Sequence, residues 1–218
     1  MGDVISIAVA RRERAPARPH DADAGLPQVC FAFDLAQPET YLAAERLERL
    51  LDRVAWAPAI SAALHDGRGA RDTLLAARMD TVEARAGVLR MPLVWPESFP
   101  FDGSAAMRVA ALAASLGRGA EFVLAASRLA FCGGFDLDDF EVLAEAAAAA
   151  GLPLDDCLAA AGDRSADAGL EARALSLRAR GATRLPVMMV GTRIFCGEER
   201  LPEAAGPGQV PLRRTRAV

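Results

Sequence analysis

Aromatic side chains are scarce in this 218-residue chain, at 6%, and it has one tyrosine, Tyr41. Its two histidines, His20 and His65, stand alone, and its four cysteines, Cys30, Cys132, Cys157 and Cys196, are widely separated. No CxxC pair and no Cys/His ligand spacing is present, which excludes a zinc-type motif and a dithiol motif and leaves four free thiols as the plain reading. No metal is expected. A net charge of −4 with both signs interspersed offers no broad basic surface for a phosphate backbone, so nucleic acid is excluded as a partner. Long apolar runs are also missing. Val4 to Ala10 is too short to span a bilayer, and the arginines that follow it reverse the order of a signal peptide. A cytoplasmic chain with no membrane contact is therefore expected.

Apolar residues make up 52% of the chain, and alanine is used heavily, which suits packed helices around a modest sheet. Residues 1–26 mix Arg, Pro, Ala and Asp and read as a poorly ordered arm; residues 207–218 read as a basic tail. Between them lies one folding unit in two lobes. Leu26 to Phe33 reads as a buried strand ending at Asp34, and Pro38 opens a helix that carries Tyr41, Leu42, Leu47, Leu50 and Leu51. Arg53 to Pro58 reads as a second strand, which makes a β-α-β unit. From about 60 to 180 the periodicity is helical: Asp72–Ala86, Gly103–Leu116, Ala120–Phe131, Asp138–Ala150, Pro153–Ala161 and Ala168–Arg180, broken at glycines. Leu185 to Val190 and Arg193 to Cys196 then form a hairpin across Gly191-Thr192, and a short helix follows from Glu198 to Ala205.

Several segments match one known pattern. Asp34-Leu35-Ala36-Gln37-Pro38-Glu39-Thr40-Tyr41-Leu42-Ala43 resembles D-F-x-S-P-x-S-Y-L-A. Asp102-Gly103-Ser104-Ala105-Ala106-Met107-Arg108, Gly134-Phe135-Asp136-Leu137-Asp138-Asp139, Gly181 to Pro186 and Phe195 to Leu201 match further stretches. Together they resemble the branch of the thioredoxin superfamily that contains DsbA, 2-hydroxychromene-2-carboxylate isomerase and kappa-class glutathione transferase. The resemblance implies an α/β thioredoxin-like fold, residues 27–60 and 181–206, with a large all-helical insertion at 61–180.

The resemblance also places the chemistry where the first strand hands over to the first helix, whose positive end stabilises a thiolate. DsbA-like oxidoreductases carry C-x-x-C there, and the isomerases and transferases carry a serine that bonds the glutathione sulfur. This chain has Gln37-Pro38-Glu39-Thr40, with neither sulfur nor serine, so dithiol exchange is not expected. Gln37, Thr40 and Tyr41 are the catalytic candidates, as an amide donor and two hydroxyls. Glu39 in the first helical turn would repel an anionic thiolate. By resemblance, Leu185-Pro186 holds the cis-proline position, whose neighbours pair with a bound peptide. Arg184 replaces a usual glycine, and Glu199-Arg200 stands for the Asp-Arg pair whose acid takes the γ-glutamyl amine. Asp102 stands where isomerases carry Asn, and Trp95 would line an aromatic pocket.

Two readings stay open. One is a glutathione-dependent isomerase or transferase acting on a small hydrophobic molecule, with glutathione as cofactor and a homodimer as the usual assembly of the related families. The other is a binding protein of the same fold without catalysis.

Overall fold

The computed structural model describes residues 29–51, 53–64 and 71–206. The arm, the start of the first expected strand and the basic tail lie outside them. Chain order is β1 (Val29–Phe33), α1 (Pro38–Leu50), β2 (Val54–Pro58), a 3-10 turn (Ser61–Leu64), α2 (Arg71–Leu89), α3 (Ser104–Ser115), α4 (Gly119–Phe131), α5 (Phe140–Ala149), α6 (Leu154–Gly162), a second 3-10 turn (Arg164–Ala166), α7 (Asp167–Ala179), β3 (Val187–Val190), β4 (Arg193–Cys196), a third 3-10 turn (Glu198–Arg200) and α8 (Leu201–Ala205). The four strands form one mixed sheet in the order β2-β1-β3-β4. β1 runs parallel to β2, with Phe31 opposite Trp56, and antiparallel to β3, with Phe31 opposite Met188.

Period-two alternation sends the strand side chains to two different cores. Val29, Phe31 and Phe33 of β1, Met188 of β3 and Phe195 of β4 pack with Tyr41, Leu42 and Leu47 of α1 and with α3 and α4. Ala32 and Val187 face the other way and pack with Leu64, Ala174 and Leu177. Helix α7, read from sequence as part of the insert, therefore covers the opposite face of the sheet from α1.

Pro38 starts α1 where a missing N–H costs nothing, and Glu39 sits in its first turn. Asp139 caps α5 by accepting from the Glu141 N–H at 2.9 Å. One break came later than expected. Gly87 does not end α2; the helix continues to Leu89, and Arg90 turns left-handed at φ 55. There the Met91 N–H reaches the Ala86 carbonyl at 3.0 Å and the Arg90 N–H reaches Gly87 at 3.1 Å, a paired closure that satisfies the last carbonyls.

Candidate functional site

The loop from β1 to α1 is built around Asp34, which is only 5% exposed. One carboxylate oxygen accepts the Ala36 N–H at 2.9 Å and the other accepts the Ser61 N–H at 2.8 Å. Burial pushes the Asp34 pKa up, opposed in part by these N–H donors and by the Ser61 hydroxyl. The same 3-10 turn reaches the residue that precedes α1, because the Gln37 amide donates to Ser61 Oγ at 3.0 Å. At its other end the Gln37 carbonyl accepts from Arg78 Nη2 at 2.6 Å. Arg78 also holds Glu39 with two donors, Nε to Oε1 at 3.1 Å and Nη2 to Oε2 at 2.5 Å. Both ends of the Gln37 amide are thus engaged, and the carboxylate that would oppose an anion is neutralised by a guanidinium from α2.

Beside this junction lies a groove of about 300 Å³. Glu39 and Leu42 of α1, Arg85 of α2, Leu185, Glu198 and Glu199 are among its walls. The Leu185–Pro186 peptide is cis. Arg184 and Glu199 form an ion pair at its rim. Gly197, at φ 91, lies under that pair, and a Cβ there would sit 2.7 Å from Arg184 Nη2. Deeper in, Glu198 is 4% exposed and is held by Arg46 of α1 and Arg85 of α2, the latter also through Nη2 at 3.2 Å.

Of the residues singled out from sequence, the structure brings together Arg184, Leu185, Pro186 and Glu199, with Gln37 joined to the groove through Arg78 and Glu39. Others are spent elsewhere. The Thr40 hydroxyl is fully buried and donates to the Asp34 carbonyl at 2.7 Å, so it closes the first turn and does not face the groove. Tyr41 points to the other side of α1, donating to the Pro92 carbonyl at 2.8 Å and accepting from the Cys132 thiol at 3.0 Å. Burial raises its pKa first, and the Cys132 bond adds to the rise. Arg200 pairs with Glu203 through two contacts of 2.5 and 2.8 Å, and with Arg184 and Glu199 it lines a wide recess outside the groove.

Trp95 donates to Glu83 at 2.6 Å and packs on Phe99, ring centroids 4.7 Å apart, and edge-on to Phe131, so it ties the α2–α3 connection to α4. Asp102 is exposed; its N–H and that of Gly103 donate to the Asp138 carboxylate, each at 2.8 Å. Gly103 packs at the β1–α1 loop, where an added Cβ would lie 3.3 Å from Ala36 Cβ. Asp102 is thus near the junction without bonding to it. Cys132 belongs to the core on the α1 side, Cys196 to the core on the α7 side, and no disulfide joins them.

Ser61, Arg78, Arg85 and Glu198 were not singled out from sequence. Arg78 and Arg85 are two helical turns apart on one face of α2, the signal that could have found them. Among the described residues no cluster of His, Cys, Asp and Glu could hold a metal ion, and no helix is long and apolar enough to cross a membrane.

The model of the DsbA-like thioredoxin domain matches residues 28–206. The chain belongs to that family. Its fold is accordingly the thioredoxin-like α/β fold with a helical insertion. Among solved structures, a 2-hydroxychromene-2-carboxylate isomerase superposes with a TM-score of 0.68 at 19% identity, covering 79% of this chain and 90% of that one. The probable DsbA oxidoreductase of Streptomyces coelicolor superposes with a TM-score of 0.62 at 22% identity, covering 86% and 93%. Both likenesses are of fold. No curated protein matches.

Proposed function

We propose that this DsbA-family protein binds glutathione, or a closely similar thiol peptide, in the groove beside α1, and that it carries out no dithiol exchange. The observation that carries this reading is Gln37. It occupies the position at which the family's thiol or hydroxyl chemistry is placed, and its amide is held at both ends by Ser61 and Arg78. An amide neither ionises nor transfers a proton at ordinary pH, so whatever happens to a sulfur arriving there is governed by hydrogen bonding and by the helix end.

The walls support a zwitterionic ligand. Glu198 and Glu199 stand opposite Arg85 and Arg184 in a small concave site, which suits a molecule with one amine and two carboxylates. Leu185, one residue ahead of the cis proline, lines the same groove and would offer its backbone to the ligand's peptide part. For Glu199 to take the ligand's amine, its contact with Arg184 must open, and Arg184 is then left to take a carboxylate.

A glutathione-dependent isomerase or transferase activity on a small hydrophobic substrate is compatible with this groove. The residues at the junction favour binding over catalysis, because Thr40 and Tyr41 place their hydroxyls away from it. Isothermal titration of the protein with reduced glutathione tests the reading. Saturable binding at micromolar to low-millimolar glutathione, weakened in Glu199→Ala, is expected; no binding by the folded protein would overturn it.

A further inference from the structure

The far side of α1 carries a second cavity, of about 380 Å³, in which Tyr41 and Cys132 sit instead of Gln37. Four arginines line it: Arg46 and Arg49 of α1, Arg90 at the end of α2, and Arg128 of α4. One carboxylate faces them, Glu45, and Arg128 takes it, with Nη2 at 2.9 Å from Oε2. Arg46 is taken by Glu198. Arg49 and Arg90 have no carboxylate partner among the described residues, so the cavity holds two uncompensated positive charges in a chain whose net charge is −4. Leu89, Met91 and Pro92 give it an apolar wall, and the hydrogen bonds from Tyr41 to Pro92 and from Cys132 to Tyr41 fix the floor.

We propose that this cavity is a binding site for a small organic phosphate. Two guanidinium groups without acids match the double charge of a phosphate monoester and its planar pairs of oxygens. The apolar wall receives a compact ring or hydrocarbon body, and the volume is that of a small-molecule site. The two cavities have no lining residue in common, and Glu198 of the groove reaches across to the second one by binding Arg46 on one side and Arg85 on the other.

Phenyl phosphate is the probe, with inorganic phosphate and benzoate as comparisons, all at one ionic strength. Calorimetry of the full chain is expected to show saturable binding of phenyl phosphate, tighter than inorganic phosphate, which lacks the body, and tighter than benzoate, which carries one charge. The double variant Arg49→Ala/Arg90→Ala, both exposed residues, is expected to bind roughly tenfold more weakly or worse, as the loss of charge-assisted hydrogen bonds dictates, while Arg118→Ala at a distant surface binds as wild type does. Alkylation of Cys132, followed by peptide mass, is expected to slow when phenyl phosphate is bound. Absence of saturable binding, equal affinity in the double variant, equal affinity for benzoate, or binding that leaves Cys132 alkylation unchanged would each overturn the proposal and leave Arg49 and Arg90 as counter-charges to the helix C-termini. None of these outcomes bears on glutathione in the groove.

Discussion

Helix α1 separates two polar regions that differ in how their charge is settled. On the groove side, Gln37 is tied to Ser61 and Arg78, Glu39 to Arg78, and Glu199 to Arg184, so nearly every polar group has a partner inside the protein. On the Tyr41 side, four arginines face one glutamate. A settled network holds a backbone turn in place and resists change, whereas an excess of one sign invites a ligand of the other. The face of α1 decides which: Glu39 and Leu42 line the groove, and Tyr41, Glu45 and Arg49, one helical turn apart from each other, line the second cavity.

Glu198 joins the two regions, and breaking it has the largest expected effect. Glu198→Ala leaves Arg46 and Arg85 without their shared, nearly buried acid, and a loss of roughly 3 kcal/mol in urea unfolding is expected, as for other broken buried pairs. A loss below about 0.5 kcal/mol, the scale of an ordinary surface substitution, would show that the two regions are independent.

Asp34 gives a smaller effect that depends on pH. Its folded pKa lies above its unfolded value because burial disfavours the charge. The folded state then binds the proton more tightly, so this group's contribution to stability is most favourable at low pH and declines as pH rises through the folded pKa. Asp34→Asn removes that decline. The stability of wild type minus that of Asp34→Asn, from unfolding curves at acid through neutral pH, is expected to fall with rising pH. A rise would mean that the N–H donors outweigh burial.

Much of the fold was legible in the sequence because it rests on local signals. Pro38 before the helical spacing of Tyr41, Leu42 and Leu47, the glycines between helices and the Gly191-Thr192 turn each act over a few residues, and the strands and most helix limits follow from them. The left-handed Arg90 was not legible, since a non-glycine closing residue carries no compositional mark. At the site, the absence of sulfur and serine at position 37 could be read directly. The fates of Thr40 and Tyr41 could not, because both depend on which face of α1 meets the loop at Asp34 and which meets Pro92 and Cys132. Glu198 was passed over for Glu199 because adjacent acids look alike until the backbone turns one inward to Arg46 and Arg85. Arg78 and Ser61 come from segments 41 and 24 residues beyond Gln37, so only the fold brings them to it.

The groove proposed for glutathione lies beside the junction at Gln37, which has neither the family's sulfur nor its serine. Gln37→Cys, incubated with oxidised glutathione and followed by peptide mass, tests this most directly. The introduced thiolate at the start of α1 is predicted to attack one glutathione sulfur, forming a mixed disulfide at position 37 and releasing glutathione thiolate, faster than any of the four native cysteines reacts. If the introduced thiol stays unmodified in the folded protein while reacting after denaturation, the junction is closed to the ligand and the account of the groove is contradicted.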